Sequence, residues 1–172
     1  MTARSRKDAM LRVDQAGEYG ATRIYAGQLA VMGARAPHAH EVSEMAAQEV
    51  RHLERFNAMM HQRGVRPTVL QPLWSIAGFA LGAASALIGP EAAMATTVAI
   101  EEEIDRHYGA QLEELDGSDP ELGETIAEFR ADEQAHRDAA LAAGAQHAPA
   151  YALLTGAVRL GCRLAIRLSE RF

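Results

Sequence analysis

The 172-residue sequence has one cysteine, Cys162. That excludes an internal disulfide and any zinc or iron–sulfur site built on cysteine thiolates, and it fits a reducing compartment. Aromatic residues make up only 5% of the chain, and there is one tryptophan, Trp74. Alternating runs of Val, Ile and Thr bounded by turn residues are missing, so no segment reads as a β-strand. No Gly-x-Gly-x-x-Gly joins a strand to a helix, which removes a built-in site for NAD or flavin. Basic residues are scattered and the net charge is −6, so nucleic acid is not an expected partner. Met1–Met10 is polar and basic but has neither an apolar core nor a cleavage pattern, and it reads as neither a signal nor a transit peptide. The expected location in a bacterium is therefore the cytoplasm or the inner face of the membrane.

What remains is helical. Apolar residues reach 48% and are mostly Ala, Leu and Met, the composition of an all-α bundle. The length suits one domain that buries roughly 70% of its unfolded surface.

A pattern that occurs twice organises the chain: a glutamate, then about thirty residues later Glu-x-x-His. The first copy is Glu18 with Glu49 and His52; the second is Glu101 with Glu133 and His136. Residues three apart share a helix face, so each Glu-x-x-His aims a carboxylate and an imidazole into one space. Chance placement of 16 Glu and 7 His gives less than one such match. There are two, each following its partner glutamate by 31 or 32 residues. Tyr25-Ala26-Gly27-Gln28-Leu29 begins seven residues after Glu18, and Tyr108-Gly109-Ala110-Gln111-Leu112 seven after Glu101. This second match selects Glu101 from the run Glu101-Glu102-Glu103. Glu102 and Glu103 then read as solvated, or as hydrogen-bonded behind the ligands.

The repeat implies two helical hairpins, residues 7–64 and 90–143. Gly33 and Gly64 stop the first two helices, and Asp119-Pro120 caps the fourth. The rise of 1.5 Å per residue sets the two glutamates of each hairpin at nearly one height. Four carboxylates and two imidazoles from four helices form the set that holds two iron or manganese ions. The carboxylates are hard and anionic and cancel four positive charges. Zinc, which prefers fewer ligands, suits the set less well. Without metal, each buried carboxylate needs its own partner. Asp14, Asp105 and Asp132 are candidates to orient the histidines. Tyr25 and Tyr108 line the site or pack, and His107 is a candidate proton carrier.

Two segments lie outside the hairpins. Residues 67–90 carry no charge and read either as a buried crossover helix or as a membrane-contacting one. The apolar core from Leu73 to Ile88 is short of the roughly 20 residues of a full span. Gly78-x-x-x-Gly82 would permit close helix approach. The C-terminal helix, 149–171, repeats Arg159, Arg163, Arg167 and Arg171 every four residues beside Leu153, Leu160 and Leu164. It reads as a basic amphipathic helix on anionic lipid or as an ordinary solvated face.

Several stretches resemble the demethoxyubiquinone hydroxylase family of ubiquinone biosynthesis. They are Arg12-Val13-Asp14-Gln15-Ala16-Gly17-Glu18-Tyr19-Gly20-Ala21, Arg66-Pro67-Thr68-Val69-Leu70-Gln71-Pro72-Leu73-Trp74, Thr97-Val98-Ala99-Ile100-Glu101-Glu102, His107-Tyr108 and Leu168-Ser169-Glu170-Arg171. The similarity runs from about Met10 to Phe172. It implies a ferritin-like di-iron monooxygenase that uses O2 to hydroxylate the ring of a polyprenylated methoxy-methyl-benzoquinol. Glu18, Glu49, His52, Glu101, Glu133 and His136 would be the iron ligands, with Tyr108 and His107 as catalytic candidates. The resemblance also implies NADH as a transient electron donor and a peripheral place on the inner membrane, on the matrix side in a mitochondrion. Further implied partners are a lipid-binding or other ubiquinone-biosynthesis protein and further copies of the chain. Gln15 departs from the histidine common in the family and is not a ligand position. The alternative reading is a ferritin-like or rubrerythrin-like protein that handles iron or peroxide.

Overall fold

A computed structural model describes residues 3–172; Met1 and Thr2, the head of the basic N-terminal stretch, lie outside them. The described residues form six α-helices and no strand. They are α1 (Ala3–Met32), α2 (Ala39–Arg63), α3 (Gln71–Ile88), α4 (Pro90–Leu115), α5 (Pro120–Ala142) and α6 (Tyr151–Arg171), with a single 3₁₀ turn at Ala145–His147. The protein is all-α, as its composition predicts. The chain divides into two compact units, Met1–Pro90 with Leu164–Phe172, and Glu91–Arg163. Each unit contains one copy of the repeat.

The helix ends follow local chemistry. Gly33 and Gly64 take left-handed φ of 67° after α1 and α2, a conformation that costs glycine little. At the start of α5 the Asp119 side chain accepts a hydrogen bond from the Leu122 amide at 3.2 Å, the arrangement expected of an N-cap followed by proline. Proline stands two residues before the observed start at two helices. Pro37 precedes α2, with His38 at φ 63°, and Pro149 precedes α6, with Ala150 at φ 50°.

In the first unit, α1 packs on both α2 and α3. The contact with α3 is made backbone to backbone. A Cβ placed on Gly82 would collide with the carbonyl oxygen of Ile24 and stand 3.0 Å from the Gln28 nitrogen, and one on Gly78 would lie 3.0 Å from the Gly20 carbonyl oxygen. From the other side, a Cβ on Gly27 would collide with the Phe79 carbonyl oxygen. The Gly78-x-x-x-Gly82 spacing therefore does what small residues allow: it brings two helix axes together. Arg23 on α1 completes the contact, its guanidinium 5.4 Å from the centre of the Phe79 ring.

The remainder of α3 is exposed. Gly78, Gly82, Ser85 and Ala86 are its buried residues, whereas Ile76 and Leu87 are 72% and 76% exposed. The expectation of a buried crossover helix is thus overturned, for a physical reason. The edge that α3 buries carries small side chains, Gly78, Gly82, Ser85 and Ala86, so most of its large apolar side chains face outward. Among the described residues, α3 is the one helix long and apolar enough to cross a membrane. Its 18 residues give about 27 Å, just under a hydrocarbon core of about 30 Å. The last residues of the chain tie down the start of α3: the Trp74 indole N–H donates to Ser169 Oγ at 3.0 Å, and the Val69 amide to the Phe172 carbonyl at 3.1 Å.

In the second unit, α4 and α5 are joined by polar contacts. Asp105 accepts from Arg130 Nε at 2.8 Å and from Gln134 Nε2 at 2.7 Å. The N-terminal part of α4, Ala92 to Glu101, is buried without a break, which the small side chains Ala92, Ala93, Ala95 and Ala99 permit.

Candidate metal centre

All six residues selected by the repeat are buried, between 0 and 5% exposed. In the first unit, α1 supplies Glu18 and α2 supplies Glu49 and His52. One ligand atom from each of the three lies within 4.8 Å of the others, and His52 Nδ1 is 3.8 Å from an oxygen of Glu18 and of Glu49. In the second unit, α4 supplies Glu101 and α5 supplies Glu133 and His136. These three meet the same 4.8 Å condition, and His136 Nδ1 is 3.3 Å from Glu133 Oε2. The spacing of three explains both pairs: one helical turn lays the imidazole over the carboxylate on the buried face.

Each triad is two carboxylates and one imidazole gathered inside a protein core. Burying carboxylates is costly unless a cation compensates them. Two carboxylates balance one divalent ion, and the mixed oxygen and nitrogen donor set suits iron or manganese. The chemistry of the donors therefore fits the metal that the repeat implies.

The offsets after each glutamate hold as well. Tyr25 and Tyr108 are buried, as are Gln28 and Gln111. His107 is half-buried and shares a hydrogen bond of 2.9 Å with Gln111. Asp14 is buried one turn before Glu18, and Gln15 is also buried, donating to the Asn57 side chain at 3.1 Å. Asp105 does not orient a histidine. It is held by Arg130 and Gln134, and although burial alone would raise its carboxyl, those two hydrogen bonds bring it below the ordinary value. Cys162 approaches the second triad electrostatically. Burial pushes its thiol up to about 12, and the Glu101 charge adds to the shift.

The period-four arginines turn out not to form one lipid-facing stripe. Arg159 Nε donates to Glu102 at 2.9 Å and Arg163 Nη2 to Glu103 at 2.7 Å. Glu103 is 3% exposed, so it is not a solvated residue. Sequence reasoning saw the acidic run and the basic period but could not pair them across 57 and 60 residues.

A groove of about 640 Å³ opens in the first unit between Tyr19, on α1, and the start of α3. Thr68, Gln71 and Ser75 give it polar walls, and Val69 and Ile76 give it apolar lips.

Residues 5–169 match the family model described as Ubiquinone biosynthesis protein COQ7. The chain is 52% identical over 164 residues to a "3-demethoxyubiquinol 3-hydroxylase" from Rhodospirillum rubrum, covering 95% of this chain and 77% of that one. It is 52% identical over 173 residues to the mitochondrial "NADPH-dependent 3-demethoxyubiquinone 3-hydroxylase" of Mus musculus, covering 98% and 79%. It is 42% identical over 180 residues to the mitochondrial "5-demethoxyubiquinone hydroxylase" of Saccharomyces cerevisiae, covering 95% and 77%.

Proposed function

The chain belongs to the Ubiquinone biosynthesis protein COQ7 family, and from that membership we propose that it is a monooxygenase hydroxylating the ring of demethoxyubiquinol. The observation that carries the reading is the pair of buried Glu-Glu-His triads in a chain about half identical to proteins named for that reaction. Glu18, Glu49 and His52 hold one iron ion, and Glu101, Glu133 and His136 hold another. When bound, the irons supply the reduction of O2 that leaves one oxygen atom on the ring and the other in water.

The protein's own groups do the rest. Burial of the six ligands keeps bulk water from them, which strengthens every charge interaction there. The Asp105 contacts with Arg130 and Gln134 tie α4 to α5, so Glu101 keeps its place relative to Glu133 and His136. Tyr108, two turns from Glu101, occupies the same helix face, and His107 with Gln111 carries protons from the half-exposed side. The reductant is a nicotinamide nucleotide that binds transiently. The mouse relative's name specifies NADPH, whereas NADH is what the resemblance implies.

The substrate's prenyl tail stays in lipid, since removing each CH2 from water is worth about 0.8 kcal/mol. The exposed apolar residues of α3, Leu73, Ile76, Leu87 and Ile88, support a protein that works at the membrane surface with α3 against the bilayer. The groove beside Tyr19 is of a size that accepts a substituted ring. An iron-storage role needs no such exposed uncharged helix.

The test is anaerobic loading with ferrous iron, addition of a short-tailed demethoxy-quinol, and admission of O2, with product analysis by mass spectrometry. The expected product carries one more ring hydroxyl. Iron uptake with no hydroxylated ring overturns the function.

A further inference from the structure

The two triads are anchored by different forces. After Glu18 the chain continues Tyr19-Gly20, and α3 comes to backbone distance of α1 at the Gly20 and Ile24 carbonyl oxygens and at Gly27. Thr22, in the position equivalent to Asp105, turns its hydroxyl back to the Tyr19 carbonyl of its own helix at 2.7 Å. After Glu101 the chain continues Glu102-Glu103, and α6 grips both. Arg159 donates to Glu102 through Nε at 2.9 Å and through Nη2. Arg163 donates through Nε to both Glu103 oxygens at 3.1 Å, and through Nη2 to Oε1 at 2.7 Å. Arg106 also pairs with Glu103.

At 3.6 residues per turn, side chains two positions apart point about 200° away from each other. Glu101 faces the triad while Glu103 holds the back of the same turn. The Glu103 side chain is 4% exposed and its two oxygens engage one guanidinium, a geometry that fixes orientation as well as distance. Removing Arg163 leaves the buried Glu103 carboxylate with only the more exposed Arg106, which approaches from its own helix and holds it in a different direction.

We propose that Arg163 and Glu103 are positioning residues for the second triad: through the α4 turn they set where the Glu101 carboxylate sits, so metal affinity at that triad depends on an ionic clamp whose carboxylate positions, 102 and 103, are Tyr19 and Gly20 in the first copy of the repeat. The proposal rests on the reading that both triads hold metal. Neither residue touches the ion, and their effect passes through the helix.

The test titrates metal-free full-length protein with Co2+ and reads bound ions per chain and the cobalt absorption bands. Wild type is expected to bind two ions. Arg163→Met and Glu103→Gln are each expected to keep one tight ion and to bind the other about 10 to 100-fold more weakly, with altered bands. The double variant is expected to lose no more than the worse single one, because the pair acts as a unit. Arg167→Ala, an exposed arginine one turn further along α6, is expected to bind as wild type. Far-ultraviolet circular dichroism checks that the helices persist. Wild-type affinity for both ions in Arg163→Met and Glu103→Gln overturns the clamp while leaving the metal reading intact. Losses that add in the double variant, or that track lost helicity, also overturn it. A wild-type chain that binds no cobalt overturns the metal reading itself.

Discussion

Substituting Gly82 by alanine sets two opposing effects against each other. Alanine in place of glycine within a helix contributes about 1 kcal/mol of stability when nothing else changes. At Gly82 something must change, because the new Cβ meets the Ile24 carbonyl oxygen, with the Ile24 carbonyl carbon at 2.8 Å and the Gln28 nitrogen at 3.0 Å. All three are backbone atoms of α1, so no side-chain rotation relieves the overlap and the two helices must part. Overpacking of this kind costs roughly 1–3 kcal/mol, and the rigidity of both partners puts this site at the upper end. The separation also weakens the matching contact of Gly27 with Phe79 and Ala83. The expected net loss is about 1–2 kcal/mol. Gly161 on α6 provides the control, since a Cβ there meets nothing within 4 Å, and Gly161→Ala should gain up to about 1 kcal/mol. Urea unfolding followed by circular dichroism reads both variants, and the midpoints should move in opposite directions. A Gly82→Ala variant as stable as Gly161→Ala would refute the close packing of α1 and α3.

Other consequences concern charge and reactivity. Asp105 has its folded pKa below the ordinary 3.8, so its pairing adds stability above that pH and the gain fades as the pH falls. Partial exposure limits the contribution to about 0.5–1 kcal/mol; Asp105→Asn should lower the urea midpoint at pH 7, and the difference from wild type should shrink as the pH falls through the lowered titration of Asp105. With its thiol pushed up to about 12, Cys162 should react with iodoacetamide at pH 8 roughly 30 to 100-fold more slowly in the folded protein than in urea, the smaller thiolate fraction being partly offset by a more nucleophilic thiolate, and equal rates would contradict the raised thiol. Glu49→Ala should lower bound iron yet raise the melting temperature of the metal-free protein by a few degrees, because a buried carboxylate disappears. Equal iron content in that variant would remove Glu49 from the ligands.

Much of this organisation was legible in the chain, and the reasons differ by feature. The doubled Glu-x-x-His and the Tyr-x-x-Gln-Leu offsets are local patterns whose geometry follows from helix pitch, and the glutamates, histidines, tyrosines and glutamines they select are buried. The ends of α1 and α2 at Gly33 and Gly64 and the Asp119 cap were legible because turn chemistry is local too. The orientation of α3 was not, since a helix without charge has no polar face to mark its outside. Only Gly78 and Gly82 indicated the contact edge. The arginines at 159 and 163 recur on one face, but a period cannot reveal that the acidic partners are Glu102 and Glu103 on another helix. Asp105 stood one turn from a ligand and looked like a histidine partner. What decided its role was Arg130, whose reach across to α4 has no signature in spacing.

The most direct measurement of the central claim is the fate of labelled oxygen. Protein loaded anaerobically with iron is given a short-tailed demethoxy-quinol and 18O2, in parallel with a His136→Ala variant. The wild-type product should contain one 18O in its new ring hydroxyl, and the variant should make little or none. A ring that remains unhydroxylated, or that takes its oxygen from water, with iron fully bound, would contradict the account.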